Sequence, residues 1–268
     1  MTVHSGVTVH RGVIVNGDQR HTANGPAVWP RVTLVPMSFW PTKEHWSVEI
    51  PVRTDHYICP ALESDGFIAL TPFDRSVPAE EWERLEYLDW KSGGDTNFAP
   101  LASADGKLDC RGFWDKGKTD KDALWTSNAS LAPTLQRYVD SIGANFGRVR
   151  VIKLEPQDRE QAFKSFHRDD NNRFNPHDEG WVVRTWLELT DNPDSYMLLM
   201  DLDDENLPVP ATERRVPLTA GARFMVDTQR LWHVVVHNGA QPRYALITSL
   251  ESSPHLQEWI ESQVPVLV

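Results

Sequence analysis

The chain has 268 residues, 40% of them hydrophobic and 24% charged, which suits a folded globular protein with a large core. The formal net charge of −11 disfavours nucleic acid and anionic membrane as partners, and leaves room for a small anion held by a few buried arginines. No apolar run approaches the roughly 20 residues of a membrane span, and residues 1–25 lack the apolar core of a secretory signal, so the expectation is a soluble, cytoplasmic protein.

Cys59 and Cys110 form no CxxC pair and are expected as free, buried thiols. The 11 tryptophans are expected mostly as core filler, with some available to wall a ligand pocket.

Residues 7–10 and 13–15 alternate as short strands would, and residues 29–60 are rich in Pro, Val, Thr and aromatics, a mixture of strands and loops. Residues 78–88 (PAEEWERLEYL) open with Pro and acidic residues before apolar positions at helical spacing, which predicts a short helix. Residues 91–127, with Gly, Asp, Lys and Asn among scattered aromatics, predict a long irregular segment. Residues 131–142 (LAPTLQRYVDSI) predict an amphipathic helix ended by Gly143.

Strands follow. Residues 148–154 (RVRVIKL) place Arg148, Arg150 and Ile152 on one face and Val149, Val151 and Lys153 on the other. Residues 181–189, 196–202, 215–218, 223–226, 232–237 and 243–250 read the same way, separated by turn formers at Asn192-Pro193, Ala220-Gly221 and Asn238-Gly239. So many short strands predict a sandwich or barrel, not a βαβ fold, and residues 254–263 close the chain as a helix.

The chemistry concentrates at Phe166-His167-Arg168-Asp169. Residues two apart on a strand share a face, so His167 and Asp169 can offer an imidazole nitrogen and a carboxylate oxygen to one ion. His233, in an otherwise apolar strand, supplies a third ligand. Two imidazoles and a carboxylate leave open positions on an octahedral ion, the set used by non-haem iron(II) oxygenases. Asp170 is the register rival of Asp169, but only Asp169 has the two-residue spacing from His167.

Arg243, ten residues after His233, offers a fork for a carboxylate. A hairpin at Asn238-Gly239 would set the two on neighbouring strands. His237 shares the alternation of His233 and is read as a strand-end surface residue, and His177 as an exposed residue of the polar stretch 170–180.

The order HxD, distal His, then Arg resembles the 2-oxoglutarate/iron(II)-dependent dioxygenase superfamily over residues 148–250. Val216-Pro217-Leu218, Gly221, Phe224-Met225-Val226-Asp227-Thr228, His233-Val234-Val235, Asn238 and Arg243-Tyr244-Ala245-Leu246 are similar to its aspartyl/asparaginyl β-hydroxylase and L-proline cis-hydroxylase branch. The stretch 170–180 is longer than that branch usually has. The resemblance implies a mainly β fold, a double-stranded β-helix (jelly roll, cupin-like) with flanking helices. It implies one domain over 1–268, with supporting elements in 1–147, the metal-bearing core in 148–250 and a helix in 251–268.

It also implies iron(II) on His167, Asp169 and His233, and 2-oxoglutarate as co-substrate anchored by Arg243 with Arg184 in support. Trp186 would wall the site against a small, amino-acid-like substrate, with dioxygen as the oxidant. A carboxylate at 169, where a halogenating site would carry Gly or Ala, makes hydroxylation the default. A cupin-type metalloenzyme that does without 2-oxoglutarate, and a non-catalytic jelly-roll binding protein, are the competing readings.

Overall fold

The computed structural model describes residues 57–89, 96–175 and 180–264, all within the unit Met37–Val268. The strands expected before residue 57, and His177, lie outside the described residues.

Among the described residues, eleven strands and six α-helices follow one another as α1 (Pro60–Glu63), β1 (Phe67–Leu70), α2 (Glu80–Glu83), β2 (Leu88–Asp89), β3 (Thr96–Ser103), α3 (Gly112–Asp115), β4 (Leu124–Trp125), α4 (Pro133–Ile142), β5 (Phe146–Leu154), α5 (Arg159–Phe163), β6 (Val182–Glu188), β7 (Asn192–Met200), β8 (Arg214–Leu218), β9 (Arg223–Val226), β10 (Trp232–Val236), β11 (Arg243–Glu251) and α6 (Pro254–Gln263). The large sheet runs β1-β9-β6-β11-β5-β3-β2, with β4 on β3, and the small sheet runs β10-β7-β8. All pairings are antiparallel. The mainly β, two-sheet jelly roll expected of a double-stranded β-helix is what forms.

Strand alternation builds the layers. In β6 every residue is buried because both faces are covered. Val183 and Leu187 face outward into a core shared with Val149, Val151, Leu246 and Leu250, closed by Leu135, Val139 and Ile142 of α4 and Leu256 and Ile260 of α6. Trp186 faces inward with Phe224, Val226, Ala245, Ile247, Met197 and Leu199, which fills the space between the sheets. Behind the small sheet, α5 lays Ala162 and Phe163 on Leu198, Met200, Trp232 and Val234. Each such fully buried Val, Leu or Phe contributes about 1.5–3 kcal/mol. Arg148, Arg150, Arg184 and Arg243 also face the interior between the sheets, and the site lies there.

The expected helix over 78–88 shrinks to the single turn of α2, and Leu88–Asp89 pairs with Phe98 and Asn97 instead. Residues 91–127 are not wholly irregular, since β3 inserts between β2 and β5 with a register shift beside Pro100. Helix α4 does stop at Gly143, which adopts φ 71°, the left-handed conformation glycine takes at low cost. Asn238-Gly239 does not close a hairpin. Strand β10 pairs with β7, and β11 pairs with β5 and β6, so the chain crosses there from the small sheet to the large one. Both cysteines are free and buried, and among the described residues no helix is long and apolar enough to cross a membrane.

Candidate metal centre

His167 and Asp169 lie in the segment after α5, and a single antiparallel bridge ties His167 to His233 of β10. The bridge is made by both backbone N–H groups, His167 to the His233 carbonyl at 3.2 Å and the reverse at 2.8 Å. Asp169 is fixed in turn by its backbone N–H, which donates to the Thr228 carbonyl at 2.9 Å. The imidazole and carboxylate ligand atoms of His167, Asp169 and His233 fall within 4.8 Å of one another, the one such group of metal-ligating side chains among the described residues.

The donor chemistry suits a cation. His167 Nδ1 donates to the Ser165 carbonyl (2.6 Å) and His233 Nδ1 to the Leu231 carbonyl (3.2 Å). A carbonyl only accepts, so each ring carries its proton on Nδ1 and presents the Nε2 lone pair. Those Nε2 atoms lie 3.7 Å and 3.8 Å from the two oxygens of Asp169. Burial, and then the neighbouring His167, push His233 down to about 3, so its ring is a neutral ligand at ordinary pH. Burial opposes ionisation of Asp169, yet Arg184 with the two imidazoles holds its carboxyl well below the ordinary range. Arg184 Nη1 sits 2.8 Å from Asp169 Oδ2, but off hydrogen-bond alignment, so that buried oxygen has no hydrogen bond. Two lone pairs, a carboxylate and an under-used oxygen converging on one point are what a divalent metal would satisfy.

Asp170 points elsewhere. Its carboxylate pairs with Arg173 at 2.6 Å, away from His167 and His233.

The three ligands open on a cavity of about 410 Å³. Its walls include Trp186, Met197, Ile247 and Phe166 on the apolar side, and Arg148, Arg150, Arg184 and Arg243 on the charged side. Trp186 stacks on Phe224 at 5.5 Å and stands edge-on to His233 at 6.5 Å. Arg150 lies over the Phe98 ring at 4.1 Å, and burial together with Arg184 and Arg148 pushes it down to about 9. Arg243 is fully buried, and its Nη1 has no hydrogen-bond partner.

Arg184, expected in support of the co-substrate, stands on the cavity wall beside Asp169 and also donates to Asn171 Oδ1 at 2.6 Å. Its partners, and those of the other buried polar groups, were not visible as such in the sequence. Arg148 donates to the same Asn171 oxygen (3.1 Å) and pairs with Asp120, which accepts in addition from Ser249. Glu188 pairs with Arg243. The polar stretch after Asp169 folds inward, with Asn171, Asn172 and Asn175 buried and Asn172 bonded to both backbone groups of Val182. His237 is not at the surface; it is fully buried between Ser195 Oγ (2.9 Å) and the Gln241 carbonyl (2.7 Å). Most of these partnerships join a loop to a strand, and Glu188 with Arg243 joins two strands, so period-two spacing within one strand does not encode them.

No protein-family model and no curated protein matches the chain. Among solved structures it is similar to a prolyl hydroxylase in complex with a hypoxia inducible factor oxygen degradation domain peptide from Trichoplax adhaerens, with TM-score 0.44 and 13% identity, covering 73% of this chain and 87% of that one. It is also similar to an oxidoreductase of the 2OG-Fe(II) oxygenase family from Burkholderia pseudomallei, with TM-score 0.43 and 12% identity over 74% of this chain and 94% of that one. A third is the non-heme alpha ketoglutarate dependent carbocyclase SnoK from nogalamycin biosynthesis, with TM-score 0.44 and 14% identity over 71% and 81%. At such identities and scores, the function rests on the geometry of the site itself.

Proposed function

We propose that this chain is an iron(II)- and 2-oxoglutarate-dependent oxygenase that hydroxylates a C–H bond of a small, amino-acid-like molecule. The observation that carries the reading is the convergence, on one cavity between two sheets, of His167, Asp169 and His233 with a buried Arg243 whose Nη1 has no hydrogen bond. Bound iron(II) with 2-oxoglutarate supplies oxidation of a C–H bond by dioxygen, the 2-oxo acid leaving as succinate and carbon dioxide.

The residues have distinct tasks. His167 and His233 hold their Nδ1 protons on backbone carbonyls and so keep Nε2 aimed at the ion. Asp169 supplies the charge, and Arg184 limits its swing. Arg243 Nη1 receives the far carboxylate of the co-substrate. Trp186, Met197 and Ile247 exclude water from the reacting centre, which strengthens every electrostatic contact there. The amino-acid-like substrate follows from the branch that residues 216–246 resemble.

One observation favours a second reading. Arg243 already has a carboxylate partner in Glu188, as a cupin-type enzyme without 2-oxoglutarate would allow.

Anaerobic titration with iron(II) and 2-oxoglutarate separates the two. The expected result is a weak visible charge-transfer band that needs both components and is lost in His167→Ala. A loaded metal site with no band would point to the cupin reading; no metal binding would end the enzyme reading.

A further inference from the structure

Arg243 on β11 and Glu188 on β6 are near neighbours across the large sheet, where Glu188 stands opposite Ala245. The two side chains meet fork to fork, Arg243 Nε donating to Glu188 Oε2 at 2.8 Å and Nη2 to Oε1 at 2.5 Å, both at 0% exposure. Both Glu188 oxygens therefore accept, the paired geometry of a carboxylate facing a guanidinium fork. The pair is electrically neutral. Of the guanidinium's outward donors, Nη1 is the one left without a hydrogen bond, and Arg243 lines the cavity.

An anion arriving at Nη1 meets a cation whose charge is already cancelled by a carboxylate on its other side. Coulomb attraction from Arg243 is then offset by repulsion from Glu188, and neither is screened at this depth. What remains is one hydrogen bond with little net charge behind it.

We propose that Glu188 sets co-substrate selectivity. By neutralising Arg243 it leaves the site only weakly selective for 2-oxoglutarate over a 2-oxo acid whose far end is uncharged. The proposal rests on the oxygenase reading above, and concerns how that site ranks its co-substrates.

The test uses the full-length protein, loaded anaerobically with iron(II) and titrated with 2-oxoglutarate and with 2-oxopentanoate, the five-carbon acid that ends in a methyl group. Both acids carry the chelating 2-oxo acid end, so the charge-transfer band reports each dissociation constant without turnover. An ordinary net hydrogen bond separates the two by up to about tenfold, a charge-assisted one from an uncancelled arginine by up to about a hundredfold. The wild-type ratio is expected below about tenfold. In Glu188→Gln, which keeps the side chain's shape and removes its charge, the ratio should widen at least about tenfold through tighter 2-oxoglutarate binding, with 2-oxopentanoate unmoved. A purely structural role for Glu188 would shift both acids together.

A wild-type ratio above about tenfold, or a folded, iron-binding Glu188→Gln variant with an unchanged ratio, overturns the proposal. The wild-type ratio alone decides if the variant does not fold. No band with either acid overturns the oxygenase reading and this proposal with it, an outcome distinct from a band that forms with both acids at widely different concentrations.

Discussion

At the scale of single residues, the three ligands differ in what the metal-free fold asks of them. The His167 side chain is 46% exposed, and beyond the ligand cluster its ring bonds only to the Ser165 carbonyl. Asp169 is 14% exposed and faces the buried guanidinium of Arg184 as well as both imidazoles. Removing one partner of a buried ion pair strands the other and costs about 3–5 kcal/mol, whereas an exposed truncation costs under about 1 kcal/mol. His167→Ala should therefore abolish metal binding and leave chelator-treated protein nearly as stable as wild type. Asp169→Asn should abolish metal binding and also lower metal-free stability by about 3 kcal/mol. Urea unfolding in excess chelator, run beside a metal titration, checks both; equal losses in the two variants would contradict the role given to Arg184. The HxD spacing and the lone histidine of an apolar strand singled out three side chains that the structure brings within 4.8 Å of one another, although His167 and Asp169 sit on an isolated bridge and a loop, not on a strand. Arg184's attachment to Asp169 was not legible, because it joins a strand to a loop.

At the scale of elements, Asp120 shows how a loop is fastened to two strands. Its carboxylate accepts from the backbone N–H and the side chain of Arg148 on β5 and from Ser249 on β11. Gly147 permits the approach, since a Cβ there would lie 2.0 Å from the Asp120 carbonyl oxygen. Burial works against ionisation of Asp120, but Arg148 and Arg184 outweigh it and hold the carboxyl below its ordinary value. A depressed carboxyl stabilises the fold above the ordinary carboxylate range and loses that contribution as pH falls through the range. Asp120→Asn should thus be less stable than wild type by about 3 kcal/mol at pH 7, with the gap closing as acid protonates the wild-type group. Unfolding curves along a pH series test this, and a pH-independent gap would contradict it. Elements with strong periodicity, β5 to β11, α4 and α6, were readable from sequence. Strand β3 was not, because TNFAPLAS breaks its pattern with Pro100 and small residues. Asn238-Gly239 marked the break between β10 and β11 but not the sheet that the next strand joins.

At the scale of the whole molecule, the site draws on both sheets at once. His233 belongs to the small sheet through β10, Arg243 to the large sheet through β11, and His167 and Asp169 to the segment packed beside β10. A metal held by His167, Asp169 and His233 would by itself join only the segment and the small sheet. A 2-oxo acid running from that metal to Arg243 would add the large sheet, so its binding should stabilise the sandwich beyond what metal does. The opposing term is electrostatic, because a chain of net charge −11 disfavours a further anion, but exposed charges are screened within about 8 Å at physiological salt. The buried contacts therefore win. A ligand at a hundred times its dissociation constant stabilises by about 2.7 kcal/mol, which for a domain of this size moves Tm by about 5–10 °C. Manganese(II), which does not oxidise readily, should raise Tm in thermal melts under air, and 2-oxoglutarate should raise it further only when manganese is present. His167→Ala should show neither rise. A 2-oxoglutarate shift without metal would place the acid somewhere other than across the two sheets, whereas a metal shift that the acid leaves unchanged would separate Arg243 from the metal centre.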